Sequence, residues 1–312
     1  MPQTIGNVLV TGATGFIGSR LRSGRRALVR TKLTQNDVVG DLLKPDSLLA
    51  ACSGMDTVFH CAGYAHAFGS VDSSQHWRVN YEGTRNLIEA AGKAGVKRFV
   101  FLSSVKAMAS PEDQCVDEQW PGDPTSAYGL SKRAAEDVVL AGGLKYGMGV
   151  VNLRLAMVYG RGGRGNLERM AQAIKRGRFP PLPNTNNRRS LVHISDVISA
   201  IHAVASNPNA YGKTYIVANT KSYSGYEIYK LVRETLGLPA SSFTIPASAL
   251  RACGFLGDIA HRVFKVNSPV TSELISKLLD SECYCSKNIE QTTGWRAQMT
   301  LKQGLQEMIS EK

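Results

Sequence analysis

Val8-Leu-Val-Thr-Gly12-Ala-Thr-Gly15-Phe-Ile-Gly18 runs from four residues of strand character directly into three glycines spaced G-x-x-G-x-x-G. Glycine permits a tight turn and the close approach of another backbone. The helix expected next, over 15–22, would aim free N–H groups and the positive end of its dipole at a pyrophosphate. A glycine-rich turn alone also serves plain packing, but a strand before it and a helix after it make this one a phosphate cradle. Gly12, Thr14, Gly15, Phe16, Ile17 and Gly18 are its candidate contacts.

Outward from this turn, apolar β-branched runs alternate with stretches of helical period, the pattern of a parallel sheet wrapped by helices. Strands are expected near 7–11, 26–30, 37–40, 56–61, 97–103, 149–155 and 213–217, and helices over 71–93, 126–146 and 195–205, the last capped by Ser195 or Asp196. The fold class is therefore α/β, a Rossmann-type doubly wound parallel sheet. Residues 1–163 form the dinucleotide-binding part, completed by about 195–220. The Gly-, Arg-, Asn- and Pro-rich stretch 164–194 and the mostly helical 221–312 form a smaller substrate-binding lobe over the carboxyl ends of the strands.

The bulk composition excludes several classes. With 43% apolar and 20% charged residues among 312, and no apolar run near the ~20 residues of a bilayer span, this is a globular chain without a membrane span. Met1-Pro-Gln-Thr passes straight into strand character, which leaves no room for a signal peptide and implies a cytoplasmic location. Cysteines 52, 61, 115, 253, 283 and 285 are scattered and expected to be reduced. Cys283-x-Cys285 lacks the gap and the second ligand pair of a zinc site, so no metal is expected. Lys and Arg exceed Asp and Glu by 37 to 25, a net +12 that would attract nucleic acid, anionic lipid or a phosphorylated small molecule. The cations are dispersed and lack the patterning of nucleic-acid binders, so a pyrophosphate ligand and a solvated basic surface account for them.

The second strand ends in Arg30, where an NAD-selective site would place an acid for the ribose 2′-hydroxyl; an arginine suits the 2′-phosphate of NADP, or is simply a surface residue. Gly40-Asp41-Leu42 offers a carboxylate to an adenine amino group, or a loop cap. Ser126-Ala-Tyr128-Gly-Leu-Ser-Lys132 puts a phenol and an ammonium on one helix face, where the cation would lower the phenol pKa toward a useful range. Ser103 and Ser104 end a strand in hydroxyls that could hold a substrate oxygen beside that phenol. Combined with the glycine turn, the Tyr-x3-Lys pair points to hydride transfer.

These motifs, with Phe59-His-Cys61-Ala62-Gly63, Val79-Asn80-Tyr-Glu-Gly83-Thr84, Leu153-Arg154, Tyr159-Gly160 and Arg189-Ser-Leu-Val-His193-Ile-Ser-Asp196, resemble the extended short-chain dehydrogenases, the NAD-dependent epimerase/dehydratase family typified by UDP-galactose 4-epimerase. The resemblance covers nearly the whole chain. It implies Ser104, Tyr128 and Lys132 as catalytic, Cys61, Ala62 and Gly63 on the cofactor side, and Asn80 as an inner structural or cofactor-side contact. It implies Lys106, Asn166, Leu167 and Arg189 near a UDP- or dTDP-hexose. Arg189 suits a pyrophosphate on chemistry too, since its fork binds phosphate bidentately.

Asn186-Asn-Arg-Arg189-Ser-Leu-Val192 and Leu102-Ser-Ser-Val-Lys106 look most like the bacterial C4-reductases of polysaccharide synthesis, and Met157 stands where epimerases usually carry an asparagine. The reading is thus an oxidoreductase acting at C4 of a nucleotide-activated hexose with NADP or NAD, with Arg30 favouring NADP. A UDP-hexose 4-epimerase comes second. A non-catalytic dinucleotide-binding regulator is the alternative from another class, and a steroid- or flavonoid-type reductase would keep the Tyr/Lys pair without the pyrophosphate grip. A homodimer is left open. Between Gly18 and Arg26 the chain lacks about two helical turns that the family normally has, leaving a first helix only about 10 Å long.

Overall fold

The computed structural model describes residues 4–65, 73–163, 165–241, 243–264 and 270–310. Its strands are, in chain order, β1 (Val8–Thr11), β2 (Arg26–Val29), β3 (Asp37–Val39), β4 (Thr57–His60), β5 (Arg98–Ser104), β6 (Cys115–Val116), β7 (Gly149–Leu155), β8 (Met157–Tyr159), β9 (Leu191–His193), β10 (Lys213–Val217) and β11 (Cys283–Tyr284). The helices are α1 (Gly18–Leu21), α2 (Asp46–Cys52), α3 (Ser73–His76), α4 (Gly83–Lys93), α5 (Ala127–Tyr146), α6 (Asn166–Lys175), α7 (Ile194–Ala205), α8 (Gly225–Thr235), α9 (Ala247–Phe264), α10 (Ser272–Leu279), α11 (Lys287–Thr293) and α12 (Leu301–Ile309).

The seven strands read from the sequence form one parallel sheet in the order β10-β7-β5-β4-β1-β2-β3. The winding direction reverses between β1 and β4. In open α/β sheets that reversal opens the ligand crevice, here flanked by the glycine turn and Cys61-Ala62-Gly63. Both faces are covered, which explains why the strands read as unbroken apolar runs. Val10, Leu102, Val151 and Val217 pack toward Val197 and Ile201 of α7. Leu9, Val58, Phe99 and Phe101 pack toward Leu87 of α4 and Val139 of α5. Each fully buried phenylalanine of the second group contributes about 2–3 kcal/mol relative to an exposed one. A separate cluster of Tyr159, Leu167, Leu182, Tyr229, Leu279 and Leu305 joins α6, α8, α10 and α12, whereas Tyr284, Ile289 and Trp295 return to the core of the sheet.

Four local expectations need correction. The helix expected over 71–93 falls partly outside the described residues, and from Ser73 it is interrupted by a π-helical turn, Trp77–Glu82, that carries Asn80. Helix α2 was not anticipated from the sequence. The cap of α7 is His193, whose Nδ1 accepts the Ser195 N–H; the Asp196 carboxylate instead accepts the N–H groups of Gln298 and Met299 at 2.9 and 3.1 Å. The cysteines are not all reduced: Cys115 and Cys283 face each other across β6 and β11 at a Cα separation of 4.4 Å and form a disulfide. They lie 168 residues apart, and only the pairing of two two-residue strands brings them together.

Helix α1 is indeed short. Gly24, at φ +68°, ends the segment, and the amino edge of the sheet beside it opens into a cavity of about 630 Å³ lined in part by Asn7, Ser23, Arg25, Arg26, Asn36 and Met55. Among the described residues no helix is long and apolar enough to cross a membrane.

Asp196 is 3% exposed, and its two bonds pin the segment before α12 to the first turn of α7. Asp196→Ala is expected to strand two N–H donors and cost about 2–3 kcal/mol, visible as a lower urea midpoint with an unchanged m-value. An unshifted midpoint would show that the pinning contributes nothing.

Candidate active site

The glycine turn packs directly on the turn that follows β4. Gly12 has φ +64°, and a Cβ there would lie 2.6 Å from the Ala62 nitrogen; one on Gly18 would strike the Gly12 carbonyl oxygen. Thr11 clamps the two strand ends, its hydroxyl accepting the Ala62 N–H at 3.2 Å and lying 2.7 Å from His60 Nδ1, whose other nitrogen is 2.9 Å from Thr84 Oγ1. Burial holds the His60 pKa down to about 3, so this imidazole is a neutral strut. Gly15 closes the turn by donating to the Gly12 carbonyl at 2.9 Å, and Thr14 and Gly15 face solvent. The result is a cradle without side chains, a fit for a dinucleotide pyrophosphate. Four-residue α1 adds little dipole. Phe16 and Ile17 are half-buried, with the Arg20 guanidinium 4.6 Å over the Phe16 ring.

Arg30 is exposed just past β2. Asp41 accepts the Leu43 N–H at 2.9 Å, the loop-cap alternative, and Leu42 lies against Gly83. Burial pushes the Cys61 thiol up to about 12, which makes it unreactive packing. Gly63 has a stricter reason to be glycine: a Cβ would crowd Asn80 Oδ1 and Lys132 Nζ, each at 3.3 Å. Asn80 holds the loop, accepting the Tyr64 N–H at 2.7 Å while donating to the Tyr64 carbonyl and to Ser131 Oγ.

Helix α5 begins with Ser126, whose hydroxyl accepts the Gly129 N–H, and Gly129 has no room for a Cβ against the Lys106 carbonyl. That contact sets the start of α5 on the turn after β5 and brings the Tyr128 hydroxyl next to the Ser104 side chain. The ring of His76 stands edge-on 5.6 Å away. The expected lowering of the phenol pKa is not what the structure gives. Burial raises it, with the neighbouring Ser104 hydroxyl pulling it partly back. The cation of Lys132 is directed elsewhere: its Nζ donates to the Leu102 carbonyl at 2.8 Å and sits 4.6 Å from the centre of the Phe101 ring. Burial depresses the Lys132 pKa to about 8, against the opposing pull of Glu136.

Glu136 escaped the sequence reading, although it lies four residues beyond Lys132 on the same face of α5. It is 1% exposed, ion-paired with Arg154 of β7 at 2.6 Å, and accepts the Ser103 hydroxyl at 2.5 Å. Of the two strand-end serines, then, Ser103 braces this buried pair and Ser104 meets Tyr128.

Candidate substrate groups gather on the far side. Glu282, beside the disulfide, pairs with both Lys106 and Arg189, and Arg189 also donates to the Asp280 carbonyl at 3.2 Å. The two cations hold the Glu282 carboxyl below the usual range in spite of its burial. Arg189 is therefore 8% exposed and partly engaged, not a free fork. Asn166 is exposed at the first turn of α6, while the Leu167 side chain belongs to the lobe core, so only its backbone could face a ligand. Glu282 carries no motif in the sequence. Among the described residues no group of three or more His, Cys, Asp or Glu is placed to hold a metal.

A doubly wound parallel sheet with a glycine turn at its switch point and a Ser/Tyr/Lys cluster at the next strand ends is the architecture of an extended short-chain dehydrogenase/reductase. The chain belongs to the NAD dependent epimerase/dehydratase family, whose model matches residues 8–218. It is 27% identical to a UDP-glucose 4-epimerase of Vibrio cholerae, over 98% of this chain and 94% of that protein. It is also 27% identical to the N-acetyl-alpha-D-glucosaminyl-diphospho-ditrans,octacis-undecaprenol 4-epimerase of Escherichia coli O157:H7, over 96% and 93%. Among solved structures, MoeE5 in complex with UDP-glucose and NAD superposes with a TM-score of 0.76 at 27% identity, covering 97% of both chains.

Glu136→Gln removes the charge that opposes desolvation of Lys132 and leaves Arg154 buried without a counter-ion. The expected outcome is a loss of about 3–5 kcal/mol in folding stability and a Lys132 pKa below 8. Denaturant melts and the pH dependence of Lys132 acylation read the two effects; a Lys132 titration that stays put would separate it from Glu136.

Proposed function

We propose that the protein is an NAD(P)-dependent oxidoreductase that interconverts a keto group and an alcohol at C4 of a hexose activated through a diphosphate. The observation supporting this most is the Ser104–Tyr128 hydroxyl pair beside buried Lys132, at the strand ends that flank the dinucleotide crevice. NAD(P), when bound, gives or takes the hydride. In the reductive direction Ser104 would hold the carbonyl oxygen and Tyr128 would donate its proton to it. A phenol whose pKa is raised keeps that proton at neutral pH, as an acid must. Lys132, with a pKa of about 8, keeps its charge at neutral pH and supports the alkoxide-like transition state from one helical turn away.

Arg189, Lys106 and the first turn of α6 would receive the diphosphate, with Glu282 trimming their charge. MoeE5 holds its sugar on UDP, and the E. coli relative acts on one carried by a polyprenyl diphosphate. The shared chemistry is the sugar diphosphate, and it is that group which this reading assigns. The relative from V. cholerae favours the epimerase as the second reading. Arg30 and Met157 favour the reductase.

Tyr128→Phe is expected to lower kcat about 10²–10⁴-fold with the dissociation constant of NAD(P)H within about twofold. A variant within tenfold of the wild type would remove Tyr128 from the chemistry. For the wild type, reduction should slow as pH rises through about 8, because Lys132 is then losing its proton.

Cofactor choice separates the two readings. The exposed guanidinium of Arg30 is expected to make NADPH bind more tightly than NADH, and Arg30→Asp to reverse the order, because a carboxylate repels the 2′-phosphate and accepts from a free 2′-hydroxyl. Dissociation constants for both cofactors, measured at one ionic strength, check this; an unchanged ratio would leave the epimerase first.

A further inference from the structure

Helix α9 is mounted in the reverse of the usual sense. A helix on a globular lobe normally turns its large apolar residues inward and its small or polar ones outward. In α9 the buried positions include Leu250, Gly254 and Gly257, and a Cβ on Gly254 would come within 3.0 Å of Ser272 Cα, so Gly254 is what allows α9 to lie close on α10. The large side chains go the other way: Phe255, Leu256 and Ile259 are 61, 62 and 40% exposed, and Phe243 in the preceding loop is 64% exposed. Residues 252, 255, 256 and 259 share one helical stripe. Neighbouring α10 behaves conventionally, burying Ile275 and Leu279.

The exposed formal charges of α9 itself are Arg251 and Arg262, Arg251 being paired with Asp280 of the neighbouring α10 end at 2.9 Å. The single carboxylate of the helix, Asp258, is turned toward α10, where its oxygens lie 3.2 and 3.3 Å from the Ser272 nitrogen whose N–H they accept. An apolar face whose own helix exposes arginines and turns its one carboxylate away, on a chain of net charge +12, matches an interface that is apolar at depth and negative at its surface. A second copy of this chain fits less well, because a two-fold contact would set the same cations against themselves in a molecule of net charge +12.

We propose that the outward face of α9 docks in the surface of an anionic phospholipid bilayer, lying in its plane without crossing it. Arg251 pairs with Asp280 at 2.9 Å, and the Asp280 carbonyl accepts from Arg189, so the docking face is two residues removed from the candidate diphosphate grip. This position suits a sugar diphosphate carried on a lipid, a consequence that rests on the function proposed above, whereas the docking itself does not.

The test is flotation of the full chain with vesicles of phosphatidylcholine alone or with roughly one-third phosphatidylglycerol. Binding to the anionic vesicles is expected to be about tenfold stronger, to fall with added salt, and to drop at least about tenfold in the double variant F255S/L256S with no change in its thermal midpoint. Because vesicle binding is read without turnover, an inactive protein that floats would sink the oxidoreductase reading and leave the docking intact. Equal flotation of wild type and variant, or none on anionic vesicles, would overturn the docking. So would light scattering that shows a dimer which F255S/L256S converts to monomer, since the face would then belong to a second copy.

Discussion

The ion pair between Glu136 and Arg154 is the constraint on which the arrangement of the site rests. It joins the middle of α5 to β7 beneath the carboxyl ends of the sheet, at 1 and 4% exposure, with Ser103 of β5 as its third member. A buried pair of this kind adds little net stability compared with apolar packing, but breaking it leaves a charge with no water to turn to. That asymmetry fixes the rotation of α5. With Glu136 locked inward, Lys132 one turn earlier must point into the crevice and Tyr128 two turns earlier must reach Ser104. The field of Glu136 is also what limits how far burial can depress Lys132.

Opposite this rigid half, the groups that would hold a substrate are tied to one another. Lys106 from the turn after β5 and Arg189 from the segment before β9 converge on Glu282, which sits next to the Cys115–Cys283 bridge. The carboxylate keeps two cations close that would otherwise repel, and it reduces their combined charge from two to one. A diphosphate arriving there would compete with Glu282 for the same donors. Binding would therefore be an exchange of anions more than the filling of an open positive pocket. The disulfide holds β11, which directly follows Glu282, to β6 in the stretch after Lys106, which keeps this exchange in one geometry.

Much of this was open to a reader of the sequence, for a local reason. The glycine turn, the seven strands and the Tyr-x3-Lys pair are written in residues close together along the chain, where steric limits and the periods of helix and strand act directly. The short α1 could be counted from the gap between Gly18 and Arg26, and the notable position of Arg30 from the end of β2. Glu136 obeyed the same helical period and could have been found by extending the Tyr/Lys spacing by one more turn.

What the chain alone could not disclose depends on pairings between distant segments. The Cys115–Cys283 bridge, the hold of Glu282 on Lys106 and Arg189, and the bonds of Asp196 to residues 298 and 299 join positions about a hundred or more residues apart in most cases, with no motif to announce them. The sign of the Tyr128 shift was likewise beyond it, because helical spacing placed a cation nearby but not where that cation would point, and burial is a property of the packed fold. Helix α9 shows the same division: in the sequence it is only part of a mostly helical 221–312, and its seating on α10 through Gly254 decides that Phe255 and Leu256 face out. Sequence determined the fold and the candidate reactive groups because both follow from local sterics and period; tertiary structure decided their charge states and partners because those follow from what surrounds them.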